Sequence, residues 1–220
     1  MIERRIPEAS VARLPVYLQV LLDATGHDDG PVATLSSDDL ARATGFTAAK
    51  VRKDLSFLGS HGTRGVGYPV AELAELISRV LGLTTERSVV LVGAGNLGRA
   101  LASYDGFLRR GFRLAALVDA DPAKVGSDVA GHLVEPADEL PTIVAARAIS
   151  IAVLATPAAA AQSVADALVD AGITAILNFA PAHLEVPADV QVRSVDLSTE
   201  LQILSFYDQL VPERTVPAAG

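Results

Sequence analysis

An α/β fold with a parallel sheet is what this sequence predicts, and three observations carry it. The chain is 50% hydrophobic with a mean hydropathy of +0.36, yet only 5% aromatic and without Trp, a composition of Ala, Val and Leu that suits buried parallel strands covered by helices. From Ser88 onward, short β-branched runs alternate with helical patterns, the signature of a doubly wound sheet. The stretch SVVLVGAGNLGRAL joins a strand to a helix through Gly93-x-Gly95-x-x-Gly98, the phosphate-cradling turn of dinucleotide-binding domains.

The first third has a different organisation. Val11, Leu14, Leu18 and Leu21 recur at helical spacing and predict a helix from Ser10 to Ala24, with Pro15 in its first turn or bending it. A loop, GHDDGP, follows. Ser36 or Ser37 can cap a second helix, SDDLARAT, since a hydroxyl accepts from free first-turn amides and Asp38 and Asp39 favour the positive end of the dipole. Gly45 ends it. Phe46 and Thr47 then open a third helix, giving a helix-turn-helix.

On that third helix Val51, Leu55 and Leu58 share one face, while Ala49, Lys53 and Ser56 lie opposite, flanked by Lys50 and Arg52. The exposed face is small and cationic, as entry into a major groove requires. Next, GSHGTRGVGY reads as a glycine-punctuated hairpin with Arg64 near its tip, able to reach the narrow minor groove of A/T-rich DNA. The arrangement is that of a winged helix. Charge agrees: the chain carries a formal −8, but residues 1–80 hold 9 Lys and Arg against 10 Asp and Glu, while residues 81–220 hold 9 against 16. An acidic chain meets nucleic acid only through a local basic patch. Lys50 to Arg64, with four basic residues and one acid, Asp54, is that patch. Either piece alone would read as a solvated helix or a plain turn.

In the remaining two-thirds, FRLAALVDAD places Asp119 at the end of a second strand, some 20 residues beyond the glycine turn, where a carboxylate binds the adenosine ribose hydroxyls and repels a 2′-phosphate. NAD is therefore favoured over NADP, although Asp119 could instead be an ordinary strand-end residue. Three further strands, SIAVLAT, ITAILNF and VQVRSV, are separated by the helical patterns AAAAQSVADALVDAG and a short PAHLEV. Ligands lie over the carboxyl ends of such strands, which nominates Thr156-Pro157 and Asn178-Phe179-Ala180. The final helix, DLSTELQILSFYDQL, is apolar around most of its circumference and predicts burial, at a chain end most naturally against a second subunit. VPERTVPAAG reads as a loose tail.

No run is apolar enough to span a bilayer and MIERRIPEAS lacks a signal-peptide core, so a cytoplasmic location is expected. The absence of cysteine excludes disulfides and thiolate metal sites, and no metal-ligand set stands out. Hydride transfer needs an acid or base beside the nicotinamide and a substrate domain. The chain has four His and three Lys, with little length left for such a domain. No catalytic set emerges, and a sensor is preferred to an enzyme. The alternatives are a small NAD-dependent dehydrogenase with an added N-terminal domain and a CoA- or nucleotide-binding module.

The segments IPEASVARLPVYL, VRKDLSFLGSHGTRGVGY, VGAGNLGRAL, DADPAKVG, NFAP and LSFYDQL resemble, in order and over nearly the whole chain, the Rex family of redox-sensing transcriptional repressors. The resemblance implies a winged-helix domain at 1–80, a Rossmann domain at 81–195, a domain-swapped dimerisation helix at 196–211 and a tail at 212–220. It implies a homodimer that binds inverted-repeat operator DNA with NAD⁺ or no ligand and releases it on binding NADH. By the same resemblance Lys50, Arg52, Lys53 and Ser56 contact the major groove, Arg64 the minor groove, and Tyr68 belongs to the DNA-binding set. Gly93, Ala94, Gly95, Asn96, Leu97 and Gly98 hold the pyrophosphate and Asp119 the ribose. Thr156, Pro157, Phe179 and Ala180 line the nicotinamide half, with Tyr104 and Asp196 near it and Phe206 contributed by the partner's helix; the strand-end Asn178 is counted with the cofactor-binding set. Two positions depart from the family pattern. Leu58 stands where an aromatic is common, and Gln19 where an arginine often pairs with the acid at 196.

Overall fold

The computed structural model describes residues 6–25, 32–60 and 62–209, so the expected loop at 26–31 and the tail at 212–220 lie outside the described residues. The chain divides into two compact units, Met1–Thr85 and Glu86–Gly220.

The first unit contains α1 (Glu8–Val11), α2 (Leu14–Thr25), β1 (Thr34–Leu35), α3 (Ser37–Thr44), α4 (Ala48–Phe57), β2 (Tyr68–Pro69) and α5 (Val70–Val80). The single helix expected from Ser10 to Ala24 is divided at Ala12 and Arg13. Pro15 falls in the first turn of α2, where its missing N–H leaves no helical bond unmade. Ser36 caps α3 through a capping box with Asp39, and Gly45, at φ 73°, ends it in the left-handed conformation. Thr47 then caps α4 by accepting from the Lys50 amide, so the helix-turn-helix is written in three capping residues. β1 and β2 pair antiparallel. Leu14, Tyr17, Leu21, Leu40, Val51, Leu55 and Ile77 are completely buried at the centre of this unit.

The second unit contains β3 (Arg87–Val92), α6 (Asn96–Ala102), α7 (Gly106–Arg109), β4 (Phe112–Asp119), β5 (Asp128–Val129), β6 (His132–Pro136), α8 (Leu140–Ala146), β7 (Ile151–Leu154), α9 (Ala158–Asp170), β8 (Ala175–Asn178), β9 (Gln191–Ser194) and α10 (Leu197–Asp208). Its sheet runs β5-β6-β4-β3-β7-β8-β9, parallel throughout except for the β5–β6 pair. The order reverses at β3, which puts a crevice between the carboxyl ends of β3 and β7. One face of the sheet buries Val90, Val118, Ala152 and Leu154 against α8 and α9. Ala161 and Ala165, both fully buried, bring α9 close. The other face presents Val89, Leu91, Phe112, Leu114 and Val153 to an apolar cavity of about 420 Å³ roofed by Tyr104 and Phe107.

One element was unforeseen and one expectation is corrected. The β5–β6 hairpin was not anticipated, because β5 has two residues and β6 carries His132 and Glu135. PAHLEV forms no helix: Pro181 and Pro187 bracket the segment, and buried Leu184 fixes it as a loop on the sheet core. Among the described residues α10 is exposed at every position from Asp196 to Gln209; the burial expected for it is by a second subunit, not by its own chain.

Candidate nucleotide pocket and DNA-binding face

The glycine turn shows which of its residues the chain itself requires. Gly93 adopts φ +105°, and a Cβ there would stand 2.5 Å from the Ala155 carbonyl oxygen; a Cβ on Gly98 would overlap the Gly93 carbonyl. A Cβ on Gly95 would meet nothing within 4 Å. The first and third glycines therefore let β3, α6 and the end of β7 pack together, and the second leaves an open backbone approach in the crevice. Asn96 and Leu97, which follow, are exposed.

Asp119 closes the other side of this turn. Its Oδ2 accepts from the Ala94 amide at 2.7 Å and from Lys124 Nζ at 3.0 Å, and its Oδ1 accepts from the Asp121 amide at 2.8 Å. Burial opposes ionisation, but the hydrogen bonds from Asp121, Ala94 and Lys124 outweigh it and hold the carboxyl below its ordinary range. A carboxylate has about four acceptor sites, so three donors leave Asp119 room for one more. Across the crevice, Thr156 Oγ1 is buried without any hydrogen-bond partner among the described residues. Its methyl lies 3.4 Å from where a Gly93 Cβ would stand. A buried hydroxyl left unpaired is costly, and a ligand lying along the glycine turn would meet it.

The other nominated pocket residues divide. Pro157 is exposed, Phe179 half-buried and Ala180 buried. Asn178 does not present its side chain to a ligand: it is fully buried, donating to the Ala182 carbonyl at 2.9 Å and accepting from the Ala180 amide at 2.9 Å. It shapes the loop that carries Phe179. Tyr104 is 54% exposed and stacks edge-on with Phe107, its ring filling the space a side chain at Gly106 would need. Asp196 caps α10, accepting from the Ser198 amide and hydroxyl, and Phe206 stands 59% exposed on α10.

In the first unit, Lys50, Arg52 and Lys53 project from α4 and are exposed, with Ser56 half-buried beside them. Arg52 donates to Ser37 Oγ at 2.8 Å, and Ser56 to the Lys53 carbonyl. The expected hairpin is reduced to a bridge between Thr63 and Gly67 around a tight turn that exposes Arg64 and Val66. Tyr68 is not on that surface: it is 6% exposed, its ring stacked against Gly62, and it seats the turn on the core. Gln19 donates to Asp23 within its own helix.

The largest omission from the sequence reading is Asp54. It is 1% exposed and accepts from Ser10 Oγ, Arg13 Nε, an Arg13 terminal nitrogen and Tyr17 Oη at 2.6–2.8 Å. Burial works against its charge, yet the Arg13, Ser10 and Tyr17 hydrogen bonds win and its pKa lies below the ordinary value. The Arg13 pKa is raised by the same bond, and burial followed by the Asp54 bond raises that of Tyr17. The signal was in the register: 51, 54, 55 and 58 form one helical stripe, so Asp54 belongs to the buried face.

A winged helix carrying a cationic recognition face, joined to a parallel-sheet unit with a nucleotide-type glycine turn, defines a ligand-responsive DNA-binding protein. Residues 84–182 match the model of the CoA binding domain family, and residues 5–56 match that of a putative DNA-binding protein N-terminus. The chain is 57% identical over 223 residues to the redox-sensing transcriptional repressor Rex of Streptomyces avermitilis, covering 99% of this chain and 87% of that one. It is 59% identical to the Rex protein of Streptomyces coelicolor, covering 94% and 79%, and 46% identical to that of Desulfitobacterium hafniense, covering 92% and 95%. Among solved structures, the Rex-family repressor RSP in complex with β-NAD⁺ and operator DNA matches with a TM-score of 0.86 at 36% identity, covering 94% of each chain. RSP with β-NADH matches at 0.83 and 35%, covering 94% and 96%. The chain belongs to the Rex family of redox-sensing transcriptional repressors.

Proposed function

We propose that this chain is a homodimeric repressor that binds inverted-repeat operator DNA with NAD⁺ or no ligand and releases it on binding NADH. The observation that carries the reading is the crevice at the end of β3 and β7: open backbone at Gly95, an unpaired buried hydroxyl on Thr156, and Asp119 with acceptor capacity to spare. Those groups fit a dinucleotide, with the pyrophosphate along Gly93–Gly98, an adenosine ribose hydroxyl on Asp119, and the nicotinamide half toward Thr156, Pro157, Phe179 and Ala180. A carboxylate at 119 disfavours a 2′-phosphate, hence NAD(H) over NADP(H). Lys50, Arg52 and Lys53 face phosphates and base edges in the major groove, and Arg64 enters the minor groove.

Exposed α10, with Leu197, Leu201, Leu204, Phe206 and Tyr207 each at 59–66%, and the open apolar sheet face both call for cover, and a helix exchanged between two subunits supplies it. The domains are then a DNA-binding unit, a dinucleotide-binding unit and the exchanged helix α10, Leu197–Asp208. The oxidised nicotinamide is cationic and the reduced ring neutral, so a pocket lined by Phe179 and the partner copy's Phe206 accepts the reduced ring at lower desolvation cost. Switching the dimer from mostly one state to mostly the other needs a differential affinity worth about 5 kcal/mol. The protein acts as a sensor without turnover of its own, on DNA in the cytoplasm; among the described residues no helix is long and apolar enough to cross a membrane.

Selection of duplexes from a randomised pool by the purified protein tests this. Without ligand, an A/T-flanked inverted repeat should be enriched, and with NADH the enrichment should vanish. Recovery of no sequence under either condition would overturn it.

A further inference from the structure

We propose that Asp54 is a positioning residue for DNA recognition, its buried carboxylate setting the roll of α4 and hence which side chains meet the base edges. The inference rests on the DNA-binding reading and adds to it a determinant that never touches DNA.

The geometry is a socket. Ser10 comes from α1, Arg13 from the break between helices, and Tyr17 from α2, and all converge on the two oxygens of one carboxylate. Arg13 grips it with both Nε and a terminal nitrogen, the fork arrangement that fixes orientation as well as distance. Arg13 also lies over the Phe46 ring at 5.8 Å, and Tyr17 meets that ring edge-on. Phe46 belongs to the turn between α3 and α4, so the same cluster holds the turn and the recognition helix.

Apolar packing alone would not do this. Val51, Leu55 and Leu58 form a stripe of similar side chains, and hydrophobic surfaces of similar volume repack at modest cost. A helix held only by that stripe could roll, carrying Lys53 and its neighbours Arg52 and Lys50 away from the groove. A forked ion pair has one good geometry and a steep penalty for leaving it. Buried ion pairs are weak evidence for stability, since an apolar replacement is often as stable; their value lies in selecting one arrangement. Splitting the helix at Ala12 and Arg13 is what brings the guanidinium to the carboxylate.

The test uses full-length protein and a labelled inverted-repeat duplex selected from a randomised pool by the wild type, with a scrambled duplex of equal length as reference. For Asp54→Asn, the operator-to-scrambled affinity ratio should fall about tenfold or more, the scale of a lost base contact. Affinity for the scrambled duplex should stay within about twofold, because Lys50, Arg52, Lys53 and Arg64 retain their charge. NADH affinity should not change. A folded variant with the wild-type ratio would overturn the inference. If melting shows that Asp54→Asn does not fold, an apolar set of Ser10→Ala, Arg13→Met, Tyr17→Phe and Asp54→Leu gives the same readout: a folded dimer with a reduced ratio supports the socket, and an undiminished ratio refutes it. Failure of the wild type to select any duplex would fall on the DNA-binding reading instead.

Discussion

Two glycines of the nucleotide turn, Gly95 and Gly98, make opposite predictions for the same substitution. Gly95 adopts φ −76° and ψ −169° as the N-cap of α6, an extended conformation open to alanine, and its Cβ would meet nothing within 4 Å. Gly95→Ala should therefore leave the free protein almost intact, with a loss of at most about 1 kcal/mol from the poorer N-cap. In the proposed complex a methyl group there would stand where the pyrophosphate approaches the backbone amides. Losing one hydrogen bond to a charged oxygen removes about 1.5–3 kcal/mol, so NADH affinity should fall roughly 10- to 150-fold. Gly98→Ala behaves in reverse. Its Cβ would overlap the Gly93 carbonyl, and relieving that overlap should cost about 1–3 kcal/mol of stability before any ligand is added. Thermal melting and titration of NADH by nicotinamide fluorescence separate the two effects. A Gly95→Ala protein that melts normally and binds NADH as tightly as wild type would refute the path assigned to the pyrophosphate.

Thr156→Val, which removes the unpaired buried hydroxyl, should leave melting unchanged or slightly raised and weaken NADH binding, read in the same titration. Arg64→Ala should reduce operator affinity and lower the slope of log affinity against log salt by about 1; equal slopes would remove the turn from the interface. Phe206→Ala should preserve operator binding and blunt release by NADH, measured by competition at fixed salt. Asp54 and Asp119 both titrate below their ordinary range in the fold. The stability they contribute is present above the unfolded carboxyl value of about 4 and is lost as pH falls through the folded values. Acid melting from about pH 5 downward should show this loss, and it should be shallower in Asp119→Asn.

Much of this organisation was legible in the sequence because the decisive signals are local. Ser36, Gly45 and Thr47 delimit the helix-turn-helix by capping chemistry that needs no tertiary context. The glycine turn is recognisable because a strand precedes it and a helix follows. What escaped depends on contacts between distant residues. Asp54 reads as a surface acid among lysines until its stripe is compared with that of Ser10, Arg13 and Tyr17, more than 35 positions away. Tyr68 was placed at a ligand surface by the family resemblance and Asn178 by its position at a strand end. Both are buried, because a tight turn and a strand-end loop each need a residue inside to hold their shape. Among the described residues α10 is exposed along its whole length, so its apolar pattern alone does not say what covers it.

The most direct test is fluorescence anisotropy of the selected inverted-repeat duplex with the purified protein at fixed salt, titrated separately with NADH and NAD⁺. The account predicts release by NADH at concentrations at least about tenfold below any effect of NAD⁺, a difference of some 1.4 kcal/mol or more. Release by both at the same concentration, or by neither, would contradict it.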